Sequence, residues 1–133
     1  GTRNRKSVFS AIDLVPSLLD FASVARPENG TYDGENRINT IVGKSTASRQ
    51  APIFYSRPPD RKNYYGFENL PDLAMREGKW KLLCDYDGSR PELYDIIADP
   101  SETNNLTEIK PEMTASMVKE LLIWWSSMPK LLE

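Results

Sequence analysis

The last third of the chain contains a segment whose apolar side chains recur with the period of an α-helix. It begins at Pro111, a residue that suits the first position of a helix, and ends at Met128, just before Pro129. A helix with one apolar face must bury that face against another element of the fold. The residues on this face are Thr114, Met117, Val118, Leu121, Leu122, Trp125 and Met128, with Trp124 at its edge.

The preceding segment predicts the sheet that this helix covers. Residues 72–76 and 79–85 flank Glu77-Gly78 and predict a β-hairpin, because Trp80, Leu82 and Cys84 alternate along the second segment with the period of a half-buried strand. Residues 53–56 and 92–96 predict two further short strands. The expected fold class is therefore α+β, with a small antiparallel β-sheet packed against a long C-terminal helix.

A second, shorter helix is expected near the N-terminus. Ile12, Val15, Leu18, Leu19 and Ala22 recur at helical spacing and predict a helix over about 12–23. Pro16 is compatible with its first turn if Ser10 or Asp13 lies near the N-cap. Residues 26–37 are rich in turn-forming residues, and residues 38–42, closed by Gly43, predict one short helical turn.

The composition excludes several classes of site. The 133 residues include no His and one Cys, so the chain holds no Ser-His-Asp or Cys-His pair, no His-ligated zinc and no internal disulfide. A net charge of −2 gives no reason to expect nucleic acid as a partner. No apolar run approaches the roughly 20 residues that span a membrane, and the first residues lack the apolar stretch of a signal peptide.

Cys84 is expected to be a small buried side chain rather than a nucleophile, since it lies within a patterned strand. Gly43-Lys44-Ser45 lacks the spacing of a phosphate-binding loop, and the segment from Asp85 to Gly88 lacks that of an EF-hand. We therefore predict no catalytic, metal-binding or cofactor-binding residue within this chain.

Residues 57–71 form a proline- and glycine-rich segment with an unusual density of side chains that suit binding. Arginine forks suit sulfate or carboxylate groups, and tyrosine rings suit the faces of sugars. The same residues are explained equally well as side chains that are exposed on a loop and have no binding role. The candidate substrate-binding residues are Arg57, Arg61, Lys62, Tyr64 and Tyr65.

Three runs, taken in order, resemble the C-terminal end of type I sulfatases in the alkaline-phosphatase-like superfamily. The first is AIDLVPSLLDFA at 11–22, followed by the Asp33-Gly34 turn. The second is AMREGKWKLL at 74–83, which resembles the Arg-x-Gly-x-Trp-Lys-Leu hairpin of the family. The third is ELYDIIADPSETNNL at 92–106, and it is the most specific of the three.

The resemblance implies that this chain lacks the catalytic part of such an enzyme. Type I sulfatases carry a formylglycine, a calcium ion and catalytic His and Lys residues in a large N-terminal domain, and none of these can be placed here. Residues 1–45 resemble the end of that domain, and residues 46–133 the small C-terminal subdomain. The implied partners are the N-terminal catalytic domain and a sulfated glycan, without nucleic acid or membrane, and the implied location is periplasmic, extracellular or lysosomal.

The residues that carry the resemblance have expected roles in folding. Gly78 allows a tight hairpin turn, and Trp80 supplies buried area between sheet and helix. Leu93 and Tyr94 are expected on opposite sides of a short strand, one of them in the core. Asp99, before a proline, is expected to accept backbone N–H bonds in a turn.

The expected function is that of an inactive C-terminal fragment of a sulfatase that hydrolyses sulfate esters, in particular those of sulfated carbohydrates. The fragment would support the structure and shape the substrate cleft through residues 57–67. Two alternatives stay open at this point. One is a free-standing domain that binds sugar or protein, and the other is the C-terminal part of a phosphodiesterase or phosphatase of the same superfamily.

Overall fold

The structure is a computed structural model that describes residues 4, 7–27, 29–30, 32–57 and 70–129. The chain divides into two compact units, residues 1–51 and residues 52–133. Among the described residues, the first unit contains a 3₁₀ turn and two helices, and the second contains four strands and a long helix. In chain order the elements are 3₁₀ Ala11–Asp13, α1 Leu14–Phe21, α2 Ile38–Ile41, β1 Ile53–Ser56, β2 Leu73–Glu77, β3 Trp80–Cys84, β4 Glu92–Asp95 and α3 Pro111–Ser127.

The four strands of the second unit form one antiparallel sheet in the order β1-β2-β3-β4. Leu73 lies opposite Cys84 and Met75 opposite Leu82, which in turn lies opposite Leu93. Because successive side chains of a strand point to opposite faces, these five residues share one face of the sheet. The predicted α+β class, with an antiparallel sheet, a C-terminal helix and an N-terminal helix, is confirmed.

Helix α3 covers that face and completes the hydrophobic core. Met117 and Leu121 are buried against the five sheet residues, as the apolar face of the sequence predicts. Two aromatic stacks extend the contact, with Phe54 and Trp124 at 5.1 Å between ring centroids and Tyr86 and Trp125 at 4.9 Å. None of the helices that the structure describes is long and apolar enough to cross a membrane.

The hairpin turn lies one residue later than predicted. Glu77 is still paired with Trp80, so the two turn residues are Gly78 and Lys79 rather than Glu77 and Gly78. Gly78 has a φ of 55°, the left-handed region that a two-residue turn requires at its first central position. Trp80 is half-buried and packs against the core, and its ring centroid lies 4.5 Å from the Lys79 Nζ and 5.2 Å from the Lys110 Nζ.

Strand β4 is completed by the segment that follows it. Leu93 and Tyr94 point to opposite faces as predicted, yet both are buried, whereas only one was expected in the core. The Leu93 N–H donates to Asn105 Oδ1 at 3.1 Å, and the Leu93 carbonyl accepts from the Leu106 N–H at 2.8 Å. Asp99 Oδ2 accepts the backbone N–H groups of Thr103 and Asn104 at 2.8 Å each, which confirms its predicted role in the turn.

The N-terminal helix is shorter than predicted, and the side chains that it buries within this unit are not those at the apolar spacing. The predicted apolar face includes Val15 and Leu18, which are 52% and 55% exposed. The buried side chains are those of Asp13, Pro16 and Ser17. The reason is that the interior of this unit is built on polar contacts, which the apolar periodicity does not report.

A buried ion pair lies at the centre of the first unit. Arg49 Nη1 donates to Asp13 Oδ1 at 2.7 Å, and both side chains are at most 3% exposed. The Asp13 carboxylate also accepts the N–H groups of Ser10 at 2.9 Å and Glu35 at 2.8 Å. Arg49 Nε donates to the Ala51 carbonyl at 2.7 Å. Both charges are therefore satisfied by several hydrogen bonds, as a buried pair requires.

Gly34 allows the turn of residues 33–35 to approach the 3₁₀ turn closely. A Cβ atom at this position would lie 1.9 Å from the Ile12 carbonyl oxygen, well inside van der Waals contact. Because the obstacle is backbone, a side chain here would force the two segments apart. This close approach explains in physical terms why a glycine follows Asp33 in the run that resembles sulfatases.

The ion pair gives a first prediction, for the variant Arg49→Met. It leaves the Asp13 carboxylate buried without its charged partner, a change that costs about 3–5 kcal/mol in buried pairs. We expect faster amide hydrogen exchange in peptides from residues 7–27, measured by mass spectrometry, with little change in peptides from α3. Lys44→Met, at an exposed position of the same unit, is the matched control. Equal exchange in the two variants would show that the pair is not needed.

Cys84 lies in the core of the second unit, as predicted. Its side chain is fully buried between the sheet and α3. Burial, together with the nearby carboxylates of Asp85, Asp87 and Asp72, raises the pKa of the thiol to about 11. A thiolate is therefore disfavoured at neutral pH, both by the missing solvent and by the surrounding negative charge.

A second prediction concerns the reactivity of this thiol. At pH 8 we expect Ellman's reagent to modify Cys84 of the folded 133-residue chain at least a hundred times more slowly than in 6 M guanidinium chloride. The reason is that attack requires both exposure and the thiolate. The measurement is the absorbance of released thionitrobenzoate over time. Rapid modification of the folded chain would contradict the buried position.

Candidate functional site

The loop between β1 and β2 is closed at its base by two contacts. The Arg57 N–H donates to the Asp72 carbonyl at 2.8 Å, and Arg57 Nη2 lies 2.9 Å from Asp72 Oδ1. The two side chains are mostly buried, at 19% and 13% exposure. An ion pair shielded in this way is held more firmly than one on an open surface. The first residue of the segment rich in arginine and tyrosine is therefore fixed beside Asp72, the residue that follows the segment.

Tyr86 connects this base to the core. Its hydroxyl donates to the Arg57 carbonyl at 2.7 Å, and its backbone N–H donates to Asp72 Oδ2 at 3.4 Å. Its ring stacks on Trp125 of α3. Burial and the Asp72 carboxylate raise the pKa of Tyr86, while Arg57 lowers it. A raised pKa keeps the hydroxyl protonated, which it must be to donate this hydrogen bond.

The structure describes only part of the predicted substrate-binding set. Arg57 lies at the base of the loop and is engaged by Asp72. Arg61, Lys62, Tyr64 and Tyr65 lie outside the described residues. Asp72 and Tyr86, which join Arg57 in one cluster, were not identified from the sequence as site residues. The available signal was that Asp72 directly follows the segment that begins at Arg57.

The residues after β3 form a closed turn without a place for a metal ion. Asp85 accepts two hydrogen bonds from the Arg90 guanidinium, at 2.6 and 2.8 Å, and this bonding lowers the pKa of the Asp85 carboxyl. The lone pairs of the Asp85 carboxylate are therefore occupied by the Arg90 guanidinium. Throughout the part of the chain that the structure describes, no three acidic or Cys side chains form a group that could hold a metal. The described residues do not fit the calcium ion of a sulfatase.

Comparison with known proteins relates this arrangement to one family. Residues 1–124 match the family described as N-sulphoglucosamine sulphohydrolase, C-terminal. Arylsulfatase K of Mus musculus is 32% identical over 118 residues, which cover 86% of this chain and 21% of that protein. The N-acetylgalactosamine-6-O-sulfatase of Bacteroides thetaiotaomicron is 30% identical over 133 residues, covering 89% of this chain and 23% of that protein.

Solved structures show the same fold. A Bacteroides thetaiotaomicron protein, described with the metabolism of multiple glycosaminoglycans, superposes with a TM-score of 0.68 at 28% identity and covers 92% of this chain and 26% of that chain. A second structure, Ps i-CgsB in complex with k-i-k-neocarrahexaose, has a TM-score of 0.70 at 24% identity, over 89% of this chain and 24% of that chain.

The chain thus spans between a fifth and a quarter of the length of the curated relatives it matches. The part it spans contains the closed loop base, the sheet and the covering helix. The family match extends over nearly the whole chain, and it agrees with the three runs that resemble type I sulfatases. This chain belongs to the family of N-sulphoglucosamine sulphohydrolase C-terminal domains.

Proposed function

We propose that this chain is the C-terminal part of a sulfatase that hydrolyses sulfate esters of sulfated carbohydrates. The observation that carries the proposal is the match of residues 1–124 to a sulfatase family. The substrate class is supported by the name of a relative, an N-acetylgalactosamine-6-O-sulfatase, and by a similar structure described with glycosaminoglycan metabolism. Within the whole protein, this chain serves structure and the shape of the substrate cleft.

The loop of residues 57–71 is the part of this chain that we assign to the substrate. Its base is held by the Arg57–Asp72 pair and by Tyr86, and these contacts tie the loop to the sheet and to α3. A loop with a rigid base can present Arg61, Lys62, Tyr64 and Tyr65 at a defined place. In this proposal Arg57 positions the loop while its own guanidinium is held by Asp72.

We further propose that residues 1–45 belong to the catalytic N-terminal domain and residues 46–133 to the small C-terminal subdomain. The exposed apolar side chains of the first unit support this division. Several of them lie in and around α1, and exposed apolar side chains concentrated in one segment are typical of a region that another part of a protein covers. The residues with the largest exposure are Val15, Leu18, Phe21 and Val24, each above 50%.

The matched relatives are sulfatases. The whole protein would therefore use a formylglycine and a calcium ion. Both would be supplied by residues outside this chain. Cys84 is buried in the core, and the described residues contain no group that fits a metal. What this chain contributes to the reaction is therefore binding and orientation of the substrate, and not the reacting groups.

Because the reacting groups are assigned to residues outside this chain, we predict that the 133-residue chain alone does not hydrolyse a sulfate ester. We expect no release of nitrophenol from 4-nitrophenyl sulfate by the purified chain, measured by absorbance, whereas the whole protein releases it. A circular dichroism spectrum with helix and strand signals is the control for folding. Turnover by the isolated chain would contradict the assignment of the chemistry to the rest of the protein.

The loop gives a further prediction, for Arg57→Ala combined with Arg61→Ala in the whole protein. We expect KM for a sulfated oligosaccharide to rise about tenfold, because the change removes charge-assisted hydrogen bonding and loosens the base of the loop. The smaller 4-nitrophenyl sulfate should show a smaller rise. Both values come from steady-state hydrolysis.

Two comparisons make this loop test specific. Lys119→Gln removes a positive charge at an exposed position of α3 and should leave both KM values unchanged. Asp72→Asn removes the ion pair at the base while keeping both arginines, so it should reproduce part of the rise. Unchanged kinetics of the double variant on the oligosaccharide would count against the loop as a substrate-binding element.

A further inference from the structure

The sheet has a second face, which α3 does not cover. We call it the outer face, and the register places the alternate residues of β1, β2 and β3 on it. Two rows of side chains cross these strands. The first row is Tyr55, Ala74 and Leu83, and the second is Ile53, Arg76 and Lys81.

A groove of about 450 Å³ runs along the outer face. Its shape follows from the first row, in which the small Ala74 lies between the larger Tyr55 and Leu83. The methyl group of Ala74 forms the floor, and the two larger side chains rise on either side of it. Met75, Arg76, Lys81, Ile96 and Glu102 complete the lining of the groove. A groove of this volume has room for one or two sugar rings.

The charges in this groove are unusual for a sheet. Arg76 and Lys81 lie directly opposite each other on neighbouring strands, and like charges in that position destabilise a sheet. Glu102 balances one of them, since both its oxygens lie 2.7 Å from the Lys81 Nζ. Arg76 donates through Nε to the Gly78 carbonyl at 3.3 Å, and it forms no ion pair with a carboxylate in the described ranges. The residues that line the groove therefore carry one excess positive charge, and Glu92 lies beyond them on the same face, opposite Leu83.

The aromatic wall of the groove is accessible. Tyr55 is 51% exposed and lies on the outer face of β1, the edge strand of the sheet. Its position on β1 is opposite Ala74, two residues along β2 from Arg76. Side chains at such diagonal positions of a sheet are within reach of one another when they are long or aromatic. An aromatic ring and a guanidinium thus lie at neighbouring positions along one groove.

We propose that the outer face of the sheet binds a sulfated sugar unit through Tyr55 and Arg76. The sugar ring lies against Tyr55 over Ala74, and its sulfate group accepts hydrogen bonds from Arg76. The excess positive charge selects an anion, and the aromatic wall selects a ring over a bare ion. This inference rests on the proposed function for the class of substrate. It adds a second binding surface, which holds the chain of a polymeric substrate.

The test is photoaffinity labelling of the whole protein with a hexasaccharide that carries N-acetylgalactosamine 6-sulfate and a diazirine at one end. We expect labelled peptides that contain Tyr55 or Leu83, identified by mass spectrometry.

Arg76→Gln should reduce this labelling about tenfold, the effect of losing a charge-assisted hydrogen bond. Tyr55→Ser is the second variant and should reduce it as well. Lys119→Gln, on α3, should retain full labelling. Thermal unfolding monitored by circular dichroism shows that each variant is folded.

Competition identifies which part of the ligand is recognised. An excess of unmodified sulfated hexasaccharide should abolish the labelling, while the desulfated hexasaccharide and an equal concentration of sodium sulfate should not. Labelling confined to other peptides, or retained in both folded variants, overturns the proposal. Equal competition by the desulfated sugar or by free sulfate also overturns it. Hydrolysis of 4-nitrophenyl sulfate by the unmodified whole protein is measured separately, so failure of the proposed function is distinguishable from failure of this site.

Discussion

The register of the β2–β3 hairpin is the constraint on which the second unit depends. Gly78 takes a φ of 55°, and the two-residue turn that it begins pairs Glu77 with Trp80 and therefore Leu73 with Cys84. A shift of one residue would move every side chain of one strand to the opposite face. The core beneath α3 would then receive Arg76 or Lys81 in place of the apolar residues. One left-handed glycine thus separates a buried apolar face from a charged outer face.

The same register also positions the base of the candidate loop. The Asp72 N–H donates to the Cys84 carbonyl at 3.0 Å, so the residue before β2 is held by the end of β3. Its carboxylate can then pair with Arg57 and accept from the Tyr86 N–H. Tyr86 in turn is fixed by its stack on Trp125. A loop that leaves the sheet at Arg57 consequently returns at a place determined by the hairpin and by α3.

Local patterns predicted the elements, and they failed where partners lie far apart in sequence. The period of residues 111–128 and the alternation around Leu82 identified α3 and β3, because each pattern is complete within its own segment. Asp13 lies at the N-cap of α1, as expected, but it is also the buried partner of Arg49, 36 residues away. No periodicity reports such a pair, and this is why the polar interior of the first unit was not predicted. The role of Arg57 in substrate binding stays a prediction, and its pairing with Asp72 was likewise not predictable from any local pattern.

The runs that resemble sulfatases contain residues whose contacts here are with backbone. Gly34 leaves space for the Ile12 carbonyl, Gly78 makes the hairpin turn, and Asp99 and Asn105 accept backbone N–H groups. Such residues stabilise the fold independently of the substrate. The backbone groups with which they form hydrogen bonds are present in every protein with this fold. Tyr55 lies outside these runs, as does the segment from Arg57 to Pro71. A family can therefore retain this subdomain while its members differ in substrate, provided that the differences fall on the loop and the outer face.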